Sequence, residues 1–327
     1  MVCVIMRKLK ILLTLTEICA INYNSKSNCN CRYIGKEVSE MKISTEIGSA
    51  ARLVGEERAI EYYAKAGFDA WDFSMFEMCG YDWKTRTAFR SSHPLGQNDY
   101  LKFARRLKQV GEDNGIYCNQ SHAPFPTGCD EVRSYLKRAI ECTAEAGGKI
   151  CIIHPDNNKG PEENAEMYFE LLPFAKECGV KIATENMFNW TPEKDEAAFA
   201  ACANPESFNA HLDAVNDDYL IACLDIGHAE MSGLGTSAVE MIHALGDRLG
   251  ALHIHDNDKR HDLHQIPFSK NIDFEAVLKA LKEIGYSGEF TLESDAYLRD
   301  FNEDTIYNGI KNLAAAAKKL ADMYENF

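Results

Sequence analysis

From Met41 to Phe327, short apolar runs alternate eight times with longer segments of helical period, and few architectures accept that pattern. The runs are KISTEI, FDAWDFS, IYCNQSH, KICIIHP, VKIATEN, YLIACLDIGH, LGALHIHDND and EFTLES. Between them lie GEERAIEYYAKAG, NDYLKFARRLKQVGEDNG, CDEVRSYLKRAIECTAEAGG, PEENAEMYFELLPFAKECG, a segment over residues 204–215, TSAVEMIHALG and IDFEAVLKALKEIG, and a last helical segment follows Phe301. Parallel strands need a crossover of about a dozen residues, and these segments are long enough to supply it as helices. Gly67 fits a helix C-terminus, Asn98 or Asp99 an N-cap, and Pro161 a first turn. A doubly wound sheet would ordinarily show a Gly-rich phosphate loop after its first strand, and none is present. The expected fold class is therefore α/β, a single (βα)₈ TIM barrel over residues 41–327.

Residues 1–40 read differently. MRKLKILLTLTEICAIN has a basic start and a short apolar run, but Glu17 interrupts it and no small-x-small cleavage site follows. NYNSKSNCNCRYIGKEVSE is polar and is expected to be disordered. The reading is a disordered N-terminal extension or a mis-assigned start, with translation beginning at Met41. The full chain carries a net charge of −15. Its first forty residues hold six Lys/Arg against three Asp/Glu, so residues 41–327 carry −18. Such a surface repels a phosphate backbone and disfavours nucleic acid as the main partner. No run is long enough to span a membrane, so none is expected to. The 12 cysteines include no CxxC pair, and they read as buried thiols of a cytoplasmic protein.

In such a barrel the active site lies at the C-terminal ends of the strands. Strands three to eight end in His122, His154, Glu185, Asp225, His253 with His255, and Glu293. His228 follows three residues after Asp225, and the loop after strand seven adds His261, Asp262 and His264. Seven of the chain's 10 histidines fall in this set. Any one alone has a plain structural reading as a hydrogen-bonding or capping group. Six strands placing His, Asp or Glu at the same end is a different matter. Their desolvation and mutual repulsion are relieved together by a divalent cation, for which imidazole and carboxylate are common ligands. His253 and His255 share one face; His255 is nearer the strand end and is the expected ligand, with His253 packed one layer deeper. Phe188 and Trp190 are candidates for packing on a sugar's apolar face, with ordinary loop packing as the alternative. His211 and His243 read as helix-face residues, and His93 as a loop residue without a partner.

The strings SHAPF, IIHP, IATEN, CLDIGH, LHIHDND, HDLHQIPF and FTLES, in this order, resemble the sugar phosphate isomerase/epimerase superfamily with its xylose-isomerase-like TIM barrel. The resemblance spans about residues 41–320 and includes D-tagatose 3-epimerase, hydroxypyruvate isomerase, inosose dehydratase and endonuclease IV. It implies one divalent cation (Mn, Mg, Co or Zn) held by Glu185, Asp225, His255 and Glu293. It makes Glu185 and Glu293 the acid/base pair, and it sets His122, His154, His228, Asp262 and His264 near a small sugar, keto-polyol or sugar phosphate. Proton removal beside a carbonyl through a stabilised enediolate is the implied reaction, and a homo-oligomer is compatible with it. Two departures stand out: Arg260 is only a loose match to the ketose epimerases' arginine, and Thr191 stands where they carry a second glutamate. The alternative is an endonuclease IV-like three-zinc phosphodiesterase on abasic DNA. For it His122, His154, Glu185, Asp225, His228, His255, Asp262, His264 and Glu293 supply every ligand type.

Overall fold

The computed structural model describes residues 40–327, and the expectations for residues 1–39 lie outside it. Eight parallel strands form the centre: β1 Ile43–Thr45, β2 Ala70–Ser74, β3 Tyr117–His122, β4 Ile150–Ile152, β5 Lys181–Glu185, β6 Leu220–Asp225, β7 Leu249–His253 and β8 Phe290–Leu292. Strands β2 to β7 pair in sequence order, and β8 pairs with β1. Single bridges, Glu46 to Asp72 and Ile254 to Leu292, join the two sets and close the barrel. Eight helices alternate with the strands: α1 Glu56–Ala66, α2 Tyr100–Asn114, α3 Leu136–Ala146, α4 Pro161–Cys178, α5 Pro205–Val215, α6 Ala238–Leu245, α7 Phe274–Glu283 and α8 Ile306–Glu325.

Local chemistry explains most boundaries. Asn204, Ser237 and Asp273 accept a backbone N–H at the starts of α5, α6 and α7. Pro161 opens α4, and Gly67 ends α1 at φ 103°, a left-handed position that suits glycine. Asp99 sits at the N-cap of α2, but its side chain accepts no backbone bond there.

The main core lies between the outer faces of the strands and the helices, with Trp71, Phe73, Tyr63, Tyr168 and Phe290 among its fully buried members. Inside the barrel, Ile152, Ala183, Cys223 and Ala251 pack as an apolar plug on the β4–β7 side. The β1–β3 and β8 side is polar. Ser44 Oγ donates to Asn119 Oδ1 at 2.7 Å, and Asn119 Nδ2 donates to Thr291 Oγ1 at 3.0 Å. Strand residues alternate between faces, so inward side chains recur two residues apart; in β3 a register shift beside Asn119 resets the count, and Gln120 and His122 face inward. That next layer reads Glu46, Ser74, His122, His154, Glu185, Asp225, His253 and Glu293 round the barrel. Cysteines 79, 118, 142, 151, 202 and 223 are buried free thiols. Among the described residues no helix is long and apolar enough to cross a membrane.

Candidate functional site

The inward layer brings charged groups together where they are buried. Glu185 and Asp225 are about 1% and 0% exposed, so each needs a partner. His253 is the hub of an inner cluster. Its Nδ1 lies 3.2 Å from both Glu185 Oε2 and Glu293 Oε2, and its Nε2 lies 3.4 Å from Asp72 Oδ2. His154 Nε2 and His122 Nε2 approach Glu185 Oε2 at 3.3 and 3.7 Å. One donor each from Glu185, Asp225, His253 and Glu293 fall within 4.8 Å of one another.

An outer cluster sits beside it. Donors of His228, His255, Asp262 and His264 also fall within 4.8 Å of one another. His255 Nε2 lies 3.1 Å from Asp225 Oδ1, so Asp225 joins the two clusters. The His255 and His264 rings stack at 4.0 Å and 8°. Gly227 makes room for this arrangement, because a Cβ there would stand 2.0 Å from His255 Cε1.

Of the two histidines, His253 falls within 4.8 Å of Glu185, Asp225 and Glu293, and His255, 3.1 Å from Asp225, falls with the outer cluster. The strand ends at His253, so its side chain still points into the barrel. The chain beyond turns to pair Asp256 with Gln265, which lifts His255 one level higher.

Backbone carbonyls fix several of the rings. Nδ1 of His122, His228 and His264 lies 2.9, 2.9 and 2.8 Å from the carbonyl oxygens of Ala123, Asn186 and Glu293. Bonding there leaves Nε2 of each ring free to act as an acceptor or ligand. Asn186 holds Asp225 by exchanging two bonds with its backbone, at 2.8 and 2.9 Å. Asp225 Oδ1 also accepts the His228 N–H at 2.7 Å.

Burial alone would raise the carboxylates, yet His253 and His154 hold Glu185 well below the usual range. Asp225 is likewise buried, but His228 and His255 bring it down to about 2. Glu293 goes the other way: burial, with help from Glu185 and Asp225, outweighs His253 and His264 and pushes it up to about 8. Burial opposes charge on His228, but Asp225 and Asp262 lift it to about 10. Burial and the neighbouring His154 push His122 well down.

Does a cation suit this donor set? His154 Nε2, Glu185 Oε2, Asp225 Oδ2, His253 Nδ1, His255 Nδ1 and Asp262 Oδ1 are buried and lack a hydrogen-bond partner among the described residues. Such atoms are costly unless something binds them. Five of the six residues belong to the two clusters, the sixth, His154, stands 3.3 Å from Glu185, and all are ligand types for Mn²⁺, Zn²⁺ or Co²⁺. The residues fit a divalent cation.

Above the clusters opens a cavity of about 1150 Å³ that Glu185, Glu293, His122, His154, His228 and His264 help to line. Phe76, Phe125 and Trp83 form an aromatic wall on one side, with centroids 5.1 Å apart for Phe76–Phe125 and 5.9 Å for Trp83–Phe125. Phe188 lines the cavity against His228, whereas Trp190 packs on His261 in a hairpin outside it. Arg260 is held by Asp195 at 2.7 Å. His93 has a partner after all, Glu56 at 2.7 Å.

Glu46 was not among the residues singled out from sequence. It ends the first strand in the same register and lines the cavity at 6% exposure. Its carboxyl accepts from the Ser49 N–H, the Ser49 hydroxyl and, at 3.0 Å, Ser74 Oγ. Burial, reinforced by Asp295, raises it. Its position next to last in KISTEI, in the register of the other strand-end carboxylates, was the available signal.

Residues 60–323 match the family described as xylose isomerase-like TIM barrel. The chain belongs to that family. An uncharacterized protein of Methanocaldococcus jannaschii is 28% identical over 254 residues, covering 72% of this chain and 78% of its own. Among solved structures, a D-tagatose 3-epimerase-like protein superposes with a TM-score of 0.63 at 22% identity, covering 88% of this chain and 97% of its own. The IolI protein with a binding zinc atom superposes at 0.62 with 20% identity, covering 87% and 99%. Likeness at these identities establishes the xylose isomerase-like fold.

Proposed function

We propose that this chain is a divalent-metal-dependent isomerase or epimerase of a small sugar, keto-polyol or sugar phosphate. The observation that carries this reading is the pair Glu185 and Glu293, both lining the cavity and both 3.2 Å from one histidine, so two carboxyls converge where a substrate carbon would sit. Glu185 accepts a proton from the carbon beside a carbonyl. Glu293 returns a proton, to the other face in an epimerase or to the adjacent carbon in an isomerase. His154, His228 and His264 orient substrate oxygens, and the aromatic wall covers the apolar face of the sugar. Glu185, Asp225, His253 and Glu293 would hold the cation. Bound there, it supplies charge neutralisation at the substrate oxygens while the proton is removed. The epimerase-like and zinc-containing structural neighbours support the reading.

Protein purified without chelator should carry about one divalent cation per chain and should exchange a carbon-bound proton of a ketose with solvent deuterium. Absence of exchange across a ketose and keto-polyol panel would sink it. A second reading has one observation in its favour: the outer cluster of His228, His255, Asp262 and His264 could hold further metal. About three zincs per chain, together with cleavage of abasic DNA, would establish a phosphodiesterase instead. The charge of −18 over residues 41–327 opposes that outcome.

A further inference from the structure

Residues 41–327 hold eleven arginines, and nine of them are engaged. Arg58, Arg90, Arg105, Arg106, Arg133, Arg138, Arg248, Arg260 and Arg299 each bond or pair with a side chain or a carbonyl. Arg52 and Arg86 have no such partner among the described residues, although residues 41–327 carry a net charge of −18. Both line the cavity over the two clusters. Arg52 lies in the last turn of the short helix Gly48–Val54 that follows β1. Arg86 lies in the turn of the hairpin that follows β2, at φ 56°. Glycine or asparagine would occupy that left-handed position with less strain. The helix and the hairpin follow neighbouring strands, β1 and β2, which the Glu46–Asp72 bridge joins, and both arginines line the mouth. Acidic side chains line it too, Asp130, Glu131 and Asp156 on the β3–β4 side and Glu46, Glu293 and Asp295 on the β1–β8 side.

We propose that Arg52 and Arg86 bind a terminal oxyanion of the substrate, a phosphate ester or a carboxylate, while its carbonyl end lies over the two clusters. Guanidinium forks match either group with paired, charge-assisted bonds. The proposal rests on the isomerase reading for the rest of the molecule and narrows its substrate class.

Calorimetric titration of the Mn²⁺-loaded full chain with D-fructose, D-fructose 6-phosphate and 5-keto-D-gluconate tests it. One of the two anions should bind at least about tenfold tighter than D-fructose, and which one wins identifies the group. In Arg52→Gln/Arg86→Gln that preference should fall below about threefold, and Arg52→Lys/Arg86→Lys should keep part of it. Both positions are exposed, so the variants should melt as the parent does. Equal affinities, no measurable binding of either anion, or a preference that survives the glutamine pair would overturn the proposal. Preference for the anion without any solvent proton exchange would leave this site standing and sink the isomerase reading. Exchange with D-fructose and no anion preference would do the reverse.

Discussion

His253 and His255 stand two residues apart, and the distances separate their tasks. His253 Nδ1 reaches both glutamates of the proposed acid/base pair, whereas His255 Nε2 reaches Asp225 and Asp262 at 3.1 and 3.6 Å. Removing the hub should therefore cost more than removing its neighbour. His253→Gln should weaken binding of the first Mn²⁺ equivalent by at least about a hundredfold, and His255→Gln by less than about tenfold, as read by calorimetric titration. The reverse order would return His255 to the quartet. Glu293→Gln keeps an oxygen where the carboxylate stood but cannot cycle a proton. It should retain most of the cation affinity and lose about 10²–10⁴-fold in proton exchange with a ketose. Full exchange in that variant would remove Glu293 from the mechanism.

At the scale of elements, period and end chemistry made the barrel readable before any coordinates. β5 was expected at residues 180–186 and spans Lys181–Glu185; α4 was expected at 161–179 and spans Pro161–Cys178. The stretch expected as one helix over residues 129–148 is two, Asp130–Arg133 and Leu136–Ala146. Ser134 Oγ bonds the Glu131 carbonyl at 2.6 Å there, the local competition by which serine breaks helices. The hairpins Gly80–Asp82 with Thr87–Phe89, and Asn189–Thr191 with Glu196–Ala198, were invisible. Their strands are only three residues long, too short to carry an apolar alternation that could be detected. The site divides in the same way. The register of the strand ends was legible residue by residue, but which histidine meets which carboxylate depends on where β7 stops, and composition does not record that. Gly227, in the short helix after β6, tests how tightly the two elements fit. Gly227→Ala would drive a methyl into the His255 ring, so the protein should lose about 1–3 kcal/mol in urea unfolding. An unchanged unfolding midpoint would show that His255 moves aside freely.

Across the whole molecule, the acidic charge and the buried clusters act on stability together. The relevant groups without a cation are raised ones. His228 rises from 6.5 to about 10, His253 and His264 rise well above the usual histidine range, and Glu293 rises from 4.5 to about 8. For a group raised on folding, the stabilisation is complete below its unfolded pKa and disappears as pH climbs through its folded one. The histidine contribution is therefore full below about pH 6.5 and is lost towards about pH 10. Deprotonation over that window also adds negative charge to a surface that already self-repels. The lowered carboxylates act at the other limit: Asp225 contributes above 3.8 and loses its contribution only as pH falls through about 2. A cation held by His253 and Glu293 must displace their protons, so its affinity rises over the window in which the chain's own pairing weakens. Stabilisation by a ligand grows with the ratio of its concentration to its dissociation constant. In scanning calorimetry with chelator, the melting temperature should fall steadily between pH 6.5 and pH 9. With saturating Mn²⁺ it should fall much less, so the gap between the two curves should widen with pH. A gap that stays constant or narrows would mean that the buried histidines are not the groups that bind the cation.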